Sequence, residues 1–239
     1  MWKKLMIAGL FVGAGMTYAE ELTAHWDFTK GSLNSMDGRF KAAVRGATQI
    51  AGDEKEGKYL AVGMSRQEKP EGIVLAEKYP ALSPGGGFRL EAKIRLREQT
   101  SSQVNLVIWD SKYIFYFPKK DNPSYHHGIA FFLIRAQNDL FRPAACIGHG
   151  GNSDMFTGAP VKLEEGKIHT VSFEYDGVRQ GTFRVDGAVN QVVKAKVGGA
   201  VSPAVYNTVI GDRVGSTYNH FDGDIFEVKL YTFPKTEKK

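Results

Sequence analysis

The stretch that most constrains the fold is residues 168–190, IHTVSFEYDGVRQGTFRVDGAVN. His169, Val171, Phe173 and Tyr175 fall on one side of a two-residue alternation, and Thr170, Ser172 and Glu174 on the other. That is the period of a strand with one buried face. Asp176-Gly177 closes the run, a second run (residues 181–185) stops at Asp186-Gly187, and a third leaves it as residues 188–194. Asp-Gly between β-rich runs is a strong hairpin signal, because both residue types tolerate the positive φ of tight turns. The segment predicts a three-stranded antiparallel meander.

The rest of the chain follows the same pattern. Strand-like runs at residues 39–50, 59–62 and 72–76 are separated by Gly, Pro, Asn and Asp. In residues 88–96, Phe88, Leu90, Ala92, Ile94 and Leu96 alternate without exception against Arg89, Glu91, Lys93 and Arg95. One face is core and the other is wet, as antiparallel sheets allow. Pro84-Gly85-Gly86-Gly87 before this run cannot continue a helix. No stretch keeps a helical period over three turns, so the chain is expected to be an all-β antiparallel two-sheet sandwich. Residues 103–110 and 113–117 read as aromatic-rich strands, with 128–136 and 140–148 as the returning pair. The loop 118–127 carries Lys119, Lys120, Tyr125, His126 and His127, and a polar, Gly-rich loop spans 149–154. Loops at the rim of a rigid sandwich are where binding residues concentrate.

The ends read differently from the middle. Residues 1–19 hold Lys3 and Lys4, an apolar run and a small residue, Ala19, at the cleavage point, the pattern of an export signal. The apolar run is about twelve residues, short of the roughly 20 that a spanning helix needs, so no membrane span is expected. The organisation is therefore a signal peptide at 1–19, one sandwich at 20–233 and a polar tail at 234–239, for a protein exported to periplasm or cell exterior. A single domain of this length is ordinary for a sandwich. The net charge of +5 includes Lys3 and Lys4, and no basic stripe interleaved with stacking aromatics is present, which argues against nucleic acid as a partner. Cys146 is the one cysteine, so no internal disulfide staples the fold, and a buried small hydrophobe is its expected role.

The order His169-Thr170-Val171, Tyr175-Asp176-Gly177, Val185-Asp186-Gly187 resembles the core signature of laminin-G-like domains in the concanavalin A-like lectin/glucanase superfamily. His25-Trp26-Asp27-Phe28 resembles that family's opening strand, and residues 221–231, FDGDIFEVKLY, its closing strand. The resemblance implies a jelly-roll sandwich and a lectin-like, carbohydrate-binding module without catalysis. It also implies a structural calcium near the junction of first and last strands, with Asp222 and Asp27 as the carboxylates.

Sugars stack their apolar faces on aromatic rings while planar polar groups take the hydroxyls. Trp109, Tyr113, Tyr125, His127, His149, Asn152, Asp154, Arg213, Tyr218 and Asn219 have the right chemistry and sit in or beside expected loops. A glycan or polysaccharide is the expected partner. The enzyme alternative is a glycoside hydrolase or polysaccharide lyase on the same fold. Asp222-x-Asp224-x-x-Glu227 nearly copies the carboxylate array of bulged-strand glucanases, but begins with Asp and lies in the last strand rather than mid-chain. A third alternative is an adhesive surface domain with a protein partner. His126-His127 lacks the companion spacing of a transition-metal site, and His169 is expected to make a structural hydrogen bond.

Overall fold

The structure, a computed structural model, describes residues 20–64, 69–98, 104–112, 126–215 and 219–233. The expected signal peptide, the polar tail, the run at 113–117 and the candidate residues Tyr113, Tyr125 and Tyr218 lie outside the described residues. Among the described residues sixteen strands, β1–β16 in chain order, form two antiparallel sheets that face each other as a jelly-roll sandwich. In the first sheet the order is β14 (Ala188–Lys194), β13 (Gln180–Val185), β12 (Ile168–Tyr175), β6 (Phe88–Leu96), β16 (Gly223–Thr232), β4 (Gly57–Val62) and β3 (Gln49–Asp53). β1 (Glu21–Asp27) pairs with the later part of β16. In the second sheet the order is β10 (Ser153–Thr157), β9 (Leu140–Gly148), β8 (Ile129–Arg135), β7 (Asn105–Asp110), β15 (Val209–Ile210), β5 (Ile73–Leu75) and β2 (Ala42–Val44), with β11 (Val161–Lys162) beside β9.

The meander forms as the sequence predicts. Asp186 and Gly187 both take positive φ, 49° and 80°, and join β13 to β14 through a two-residue turn. At the other hairpin, Asp176 Oδ1 accepts the amides of Val178, Arg179 and Gln180, so the side chain itself builds the turn. His169 Nε2 accepts the Glu164 amide at 3.0 Å, which leaves the proton on Nδ1 to donate to Asp186 Oδ2 at 2.8 Å. One corrected reading is β10. Ser153 and Asp154 begin a strand rather than end a loop, because Phe156 alternates with exposed Met155 and docks in the core.

The two sheets differ in what their outer faces meet. On the first, outward rows place Arg89 between Glu174 and Tyr231, Glu91 between Ser172 and Lys229, and Lys93 between Thr170 and Glu227. This is a wet face of cross-strand pairs, and a one-residue slip would turn it into the core. The inner faces meet in one cluster that includes Trp26, Phe88, Trp109, Phe131, Phe173 and Leu230. The second sheet is buried on both faces: Val107, Ala130, Phe132, Ala144 and Cys146 form a separate apolar cluster, none more than 7% exposed. Among the described residues no helix is long and apolar enough to cross a membrane.

Candidate ligand-binding site

Buried polar groups concentrate where the outer face of the second sheet reaches one end of the sandwich. β7 and β9 end there and β8 and β10 begin there, because neighbouring strands run antiparallel. Asp110, Ala130 and Cys146 stand opposite one another across β7, β8 and β9, so Asp110 continues the outer apolar cluster as its polar end. Asp110 is 0% and Lys112 2% exposed. The Lys112 amide donates to Asp110 Oδ1 at 2.8 Å and the Val214 amide to Oδ2 at 2.9 Å. The Lys112 side chain hydrogen-bonds the Cys146 thiol, although burial is the larger influence and pushes that thiol up. Buried charged groups such as these are held by partners in the fold, and their concentration at one end of a sheet marks this end as a candidate site.

A second carboxylate extends the cluster. Asp212 Oδ2 accepts the Glu71 amide at 2.8 Å, Oδ1 accepts the Arg213 amide at 2.6 Å, and the Arg45 guanidinium lies 3.8 Å away. Burial, with the Asp110 charge adding to it, outweighs these partners and raises Asp212 to about 7. The native state therefore holds this proton when the unfolded chain has already lost it. Stability contributed by Asp212 is greatest below about pH 4 and falls as pH rises to about 7, by at most about 1.4 kcal/mol per pH unit. Denaturant unfolding of wild type and Asp212→Asn across this window is expected to show the slope flattened in the variant. Equal slopes would contradict the assignment.

The rim is built by histidines and two serines. His126 Nδ1 pairs with Ser153 Oγ and His127 Nδ1 with Ser202 Oγ, each at 2.8 Å. Ser202 in turn donates its amide to the Gly148 carbonyl and accepts the Gly128 amide, so it is fixed between β8 and β9. Burial holds His126 below the usual histidine range, and the charges of Lys112 and His127 push the same way. His149 bridges the Ala200 carbonyl and Asp154 Oδ2, both at 3.0 Å.

The sequence-derived candidates divide among three places. His127, His149 and Asn152 come together at this rim, the Asn152 carbonyl accepting the His149 amide. Arg213 follows Asp212 and is buried, and Asn219 lends its carbonyl to the Val107 amide. Trp109 does not belong with them: it is 0% exposed and meets Trp26 edge-on at 5.7 Å in the core, so no sugar can reach its ring. Asp154 is also removed, since its carboxylate is filled by the amides of Lys196, Val197 and Gly198 as well as by His149. Asp110, Lys112 and Ser202 were not singled out by sequence reasoning, although Asp110-Ser111-Lys112, a polar triplet ending an apolar strand, was the available signal.

The three carboxylates of the last strand do not converge. Asp224 is bound by Arg95 at 2.9 Å and Arg97 at 3.1 Å, whereas Glu227 is bound by His25 at 2.7 Å and Lys229 at 2.8 Å. Between them the β16–β6 register shifts by a bulge, and Asp222 precedes the strand, in the field of buried His220. Asp27 and Asp222 also lie apart. Asp27 stands opposite Glu227, roughly 15 Å along the strand from Asp222, and caps the turn at Thr29. The pair gives calcium no shared site, and among the described residues no group of three or more His, Cys, Asp or Glu side chains is placed to hold a metal.

Fold and site together define a two-sheet jelly-roll domain with a cluster of buried polar groups at one end of the second sheet. Solved structures share this architecture. Domain 4 of an extracellular GH43 arabinanase from Geobacillus stearothermophilus, solved with arabinotriose, is similar at TM-score 0.58 and 16% identity over 90% of this chain and 93% of that one. The binding domain of botulinum neurotoxin serotype D/C is similar at TM-score 0.57 and 12% identity, over 88% of this chain and 46% of that one. A carbohydrate esterase from Shiga toxin-encoding bacteriophage phi24B is similar at TM-score 0.54 and 13% identity, over 90% and 100%. The chain thus spans a little under half the length of the toxin binding domain it matches. No protein-family model matches, and no curated protein sequence matches.

Proposed function

We propose that this protein is an exported, lectin-like carbohydrate-binding module of laminin-G-like type, with its site at the Lys112 end of the second sheet. The observation that carries the reading is the cluster of buried polar groups, Asp110 and Lys112, where β7 ends, flanked by the part-buried His126, His127 and Ser202. The part-buried imidazole edges of His126 and His127 and the hydroxyls of Ser153 and Ser202 supply directional partners for sugar hydroxyls. Two comparisons support it: the arabinanase domain was solved with arabinotriose, and a botulinum neurotoxin D/C binding domain, a relative of the same toxin class, was solved with a sialylated ligand. One fold hosts many functions, so the residues and not the likeness carry the claim.

The test is a glycan array on the mature protein, with calcium and with chelator, followed by product analysis on any glycan that binds. Binding without product is the expected result. Product formation would turn the reading into an enzyme on this fold, and loss with chelator would restore calcium through ligands other than a paired Asp27 and Asp222. Silence on every glycan would sink the reading in favour of a protein partner, the kind of complex in which one toxin binding domain was solved with synaptotagmin II.

A further inference from the structure

We infer that the outer face of the first sheet carries a second site, a groove in which Arg95 and Tyr59 hold a neutral oligosaccharide. The class of ligand rests on the glycan reading, while the groove itself does not depend on the Lys112 end. Outward-facing residues of β3, β4, β16 and β6 meet here in two rows. Ala61 lies between Gln49 and Asp224, with Arg95 beyond Asp224, and Tyr59 lies beside Ala51 in the next row. The short side chains of Ala51 and Ala61 leave a hollow of about 590 Å³ among Tyr59, Arg95, Arg97 and Asp224. Glu98 is a wall of this hollow and of a second one, of about 480 Å³, which Arg135, Asp139 and Lys162 also line. Each has the size of a small-molecule site. The second hollow lies at the far end of the second sheet from the rim, since Phe141 beside it and Gly148 at the rim stand roughly 24 Å apart along β9.

Arg95 is a fixed donor in this groove. Its Nε donates to Asp224 Oδ2 at 2.9 Å and its Nη2 to Asp53 Oδ2 at 3.0 Å, and the guanidinium lies over the rings of Tyr59 at 4.8 Å and Phe226 at 5.3 Å. The bulge in β16 leaves Phe226 and Glu227 together outside the core, which brings the Phe226 ring to the guanidinium. Burial works against the charge of Arg95, but the hydrogen bonds and charges of Asp224 and Asp53 outweigh it and raise the group. Two carboxylates thus neutralise the cation while two rings hold its plane. Its Nη1 and the Tyr59 hydroxyl make no hydrogen bond among the described residues. An arginine already neutralised does not select a second anion; it offers directional N–H groups to hydroxyl and ring oxygens. The walls agree: Arg95 and Arg97 are balanced by Asp53 and Asp224, and in the second hollow Glu98, Asp139, Glu164 and Glu165 outnumber Arg135 and Lys162. That balance repels an anionic polysaccharide, and the half-buried Tyr59 ring gives the apolar face of a neutral sugar a surface to rest on. The outer face of the second sheet has no such opening, because its apolar cluster is sealed.

Titration of cellohexaose, xylohexaose and mannohexaose into the protein, followed by NMR at the Arg95 Nε–H signal and the Gly166 amide, tests this. Both signals are expected to move with at least one of the three. Tyr59→Phe, which keeps the ring on Arg95, is expected to weaken that binding about threefold, the loss of one neutral hydrogen bond, and Tyr59→Ala about tenfold. Hexagalacturonate, an anionic counterpart, is expected to leave Arg95 unmoved. Signals that stay still with all three neutral probes, tighter binding of hexagalacturonate, or wild-type affinity in a folded Tyr59→Ala would each overturn the groove. Probes that move the His126 and His127 ring signals but not Arg95 would overturn it and leave the Lys112 end standing. Probes that move Arg95 alone would support the groove and remove the support for the Lys112 end.

Discussion

Trp109→Ala is expected to lower the unfolding free energy by about 3–5 kcal/mol, the range for removing a large buried aromatic. The indole lies on the inner face of β7, fully buried, edge-on to Trp26, where both sheets converge. A register shift between Val107 and Trp109 turns consecutive residues Ile108 and Trp109 inward, so the strand packs two large side chains side by side. Alanine leaves a cavity that neither neighbour can fill without leaving its rotamer, and interiors at native density relax only in part. Trp109→Phe, which keeps most of the volume, is expected to lose less. Equilibrium denaturation decides the matter: a Trp109→Ala protein of wild-type stability that has lost ligand binding would return this residue to the site.

Gly148→Ala is expected to cost about 1–3 kcal/mol or more and to disorder the rim with it. A Cβ at Gly148 would lie 2.3 Å from the carbonyl carbon and oxygen of His126 and 2.4 Å from the His127 amide nitrogen. These are backbone atoms, and they cannot rotate away as a side-chain tip can. The neighbouring chain is fixed as well, by the Gly150 amide on the His126 carbonyl and the Gly148 amide on the Gly128 carbonyl. Denaturant midpoints paired with the His126 and His127 ring resonances would check this. Unchanged values in both would mean that the two segments do not approach as closely as the structure places them.

What the sequence reveals and what it hides follow from the range of the interactions. The meander is legible because Asp176-Gly177 and Asp186-Gly187 act locally, and β6 because its alternation is unbroken. Residues 25–27 and 223–231 likewise belong to paired strands, β1 and β16. The site is less legible because it is assembled from distant segments: Lys112, His126, Cys146, Ser202 and Asp212 come from five separate stretches. Trp109 misleads, since an aromatic near a strand end looks the same whether it faces core or solvent, and only the register shift after Val107 decides. Asp154 misleads in a second way. Its partners are backbone amides more than forty residues on, and amides leave no mark in a sequence. The glucanase-like carboxylates repeat the lesson, because spacing sets which strand they share, while Arg95, Arg97, His25 and Lys229 determine what each can still do.

The claim that the Lys112 end of the second sheet binds a glycan is tested most directly by titrating an array-identified glycan into wild type and Lys112→Met. Methionine keeps the length and apolar stem while removing the ammonium, and Asp110 keeps its two backbone amide donors. Because the groups around Lys112 lose their charged partner, the variant is expected to lose stability, and binding is compared well below its denaturation midpoint. Affinity is expected to fall by about tenfold or more as the rim that His126 and His127 build loses its support. A folded variant that binds within about twofold of wild type would contradict the account and place the ligand elsewhere on the sandwich.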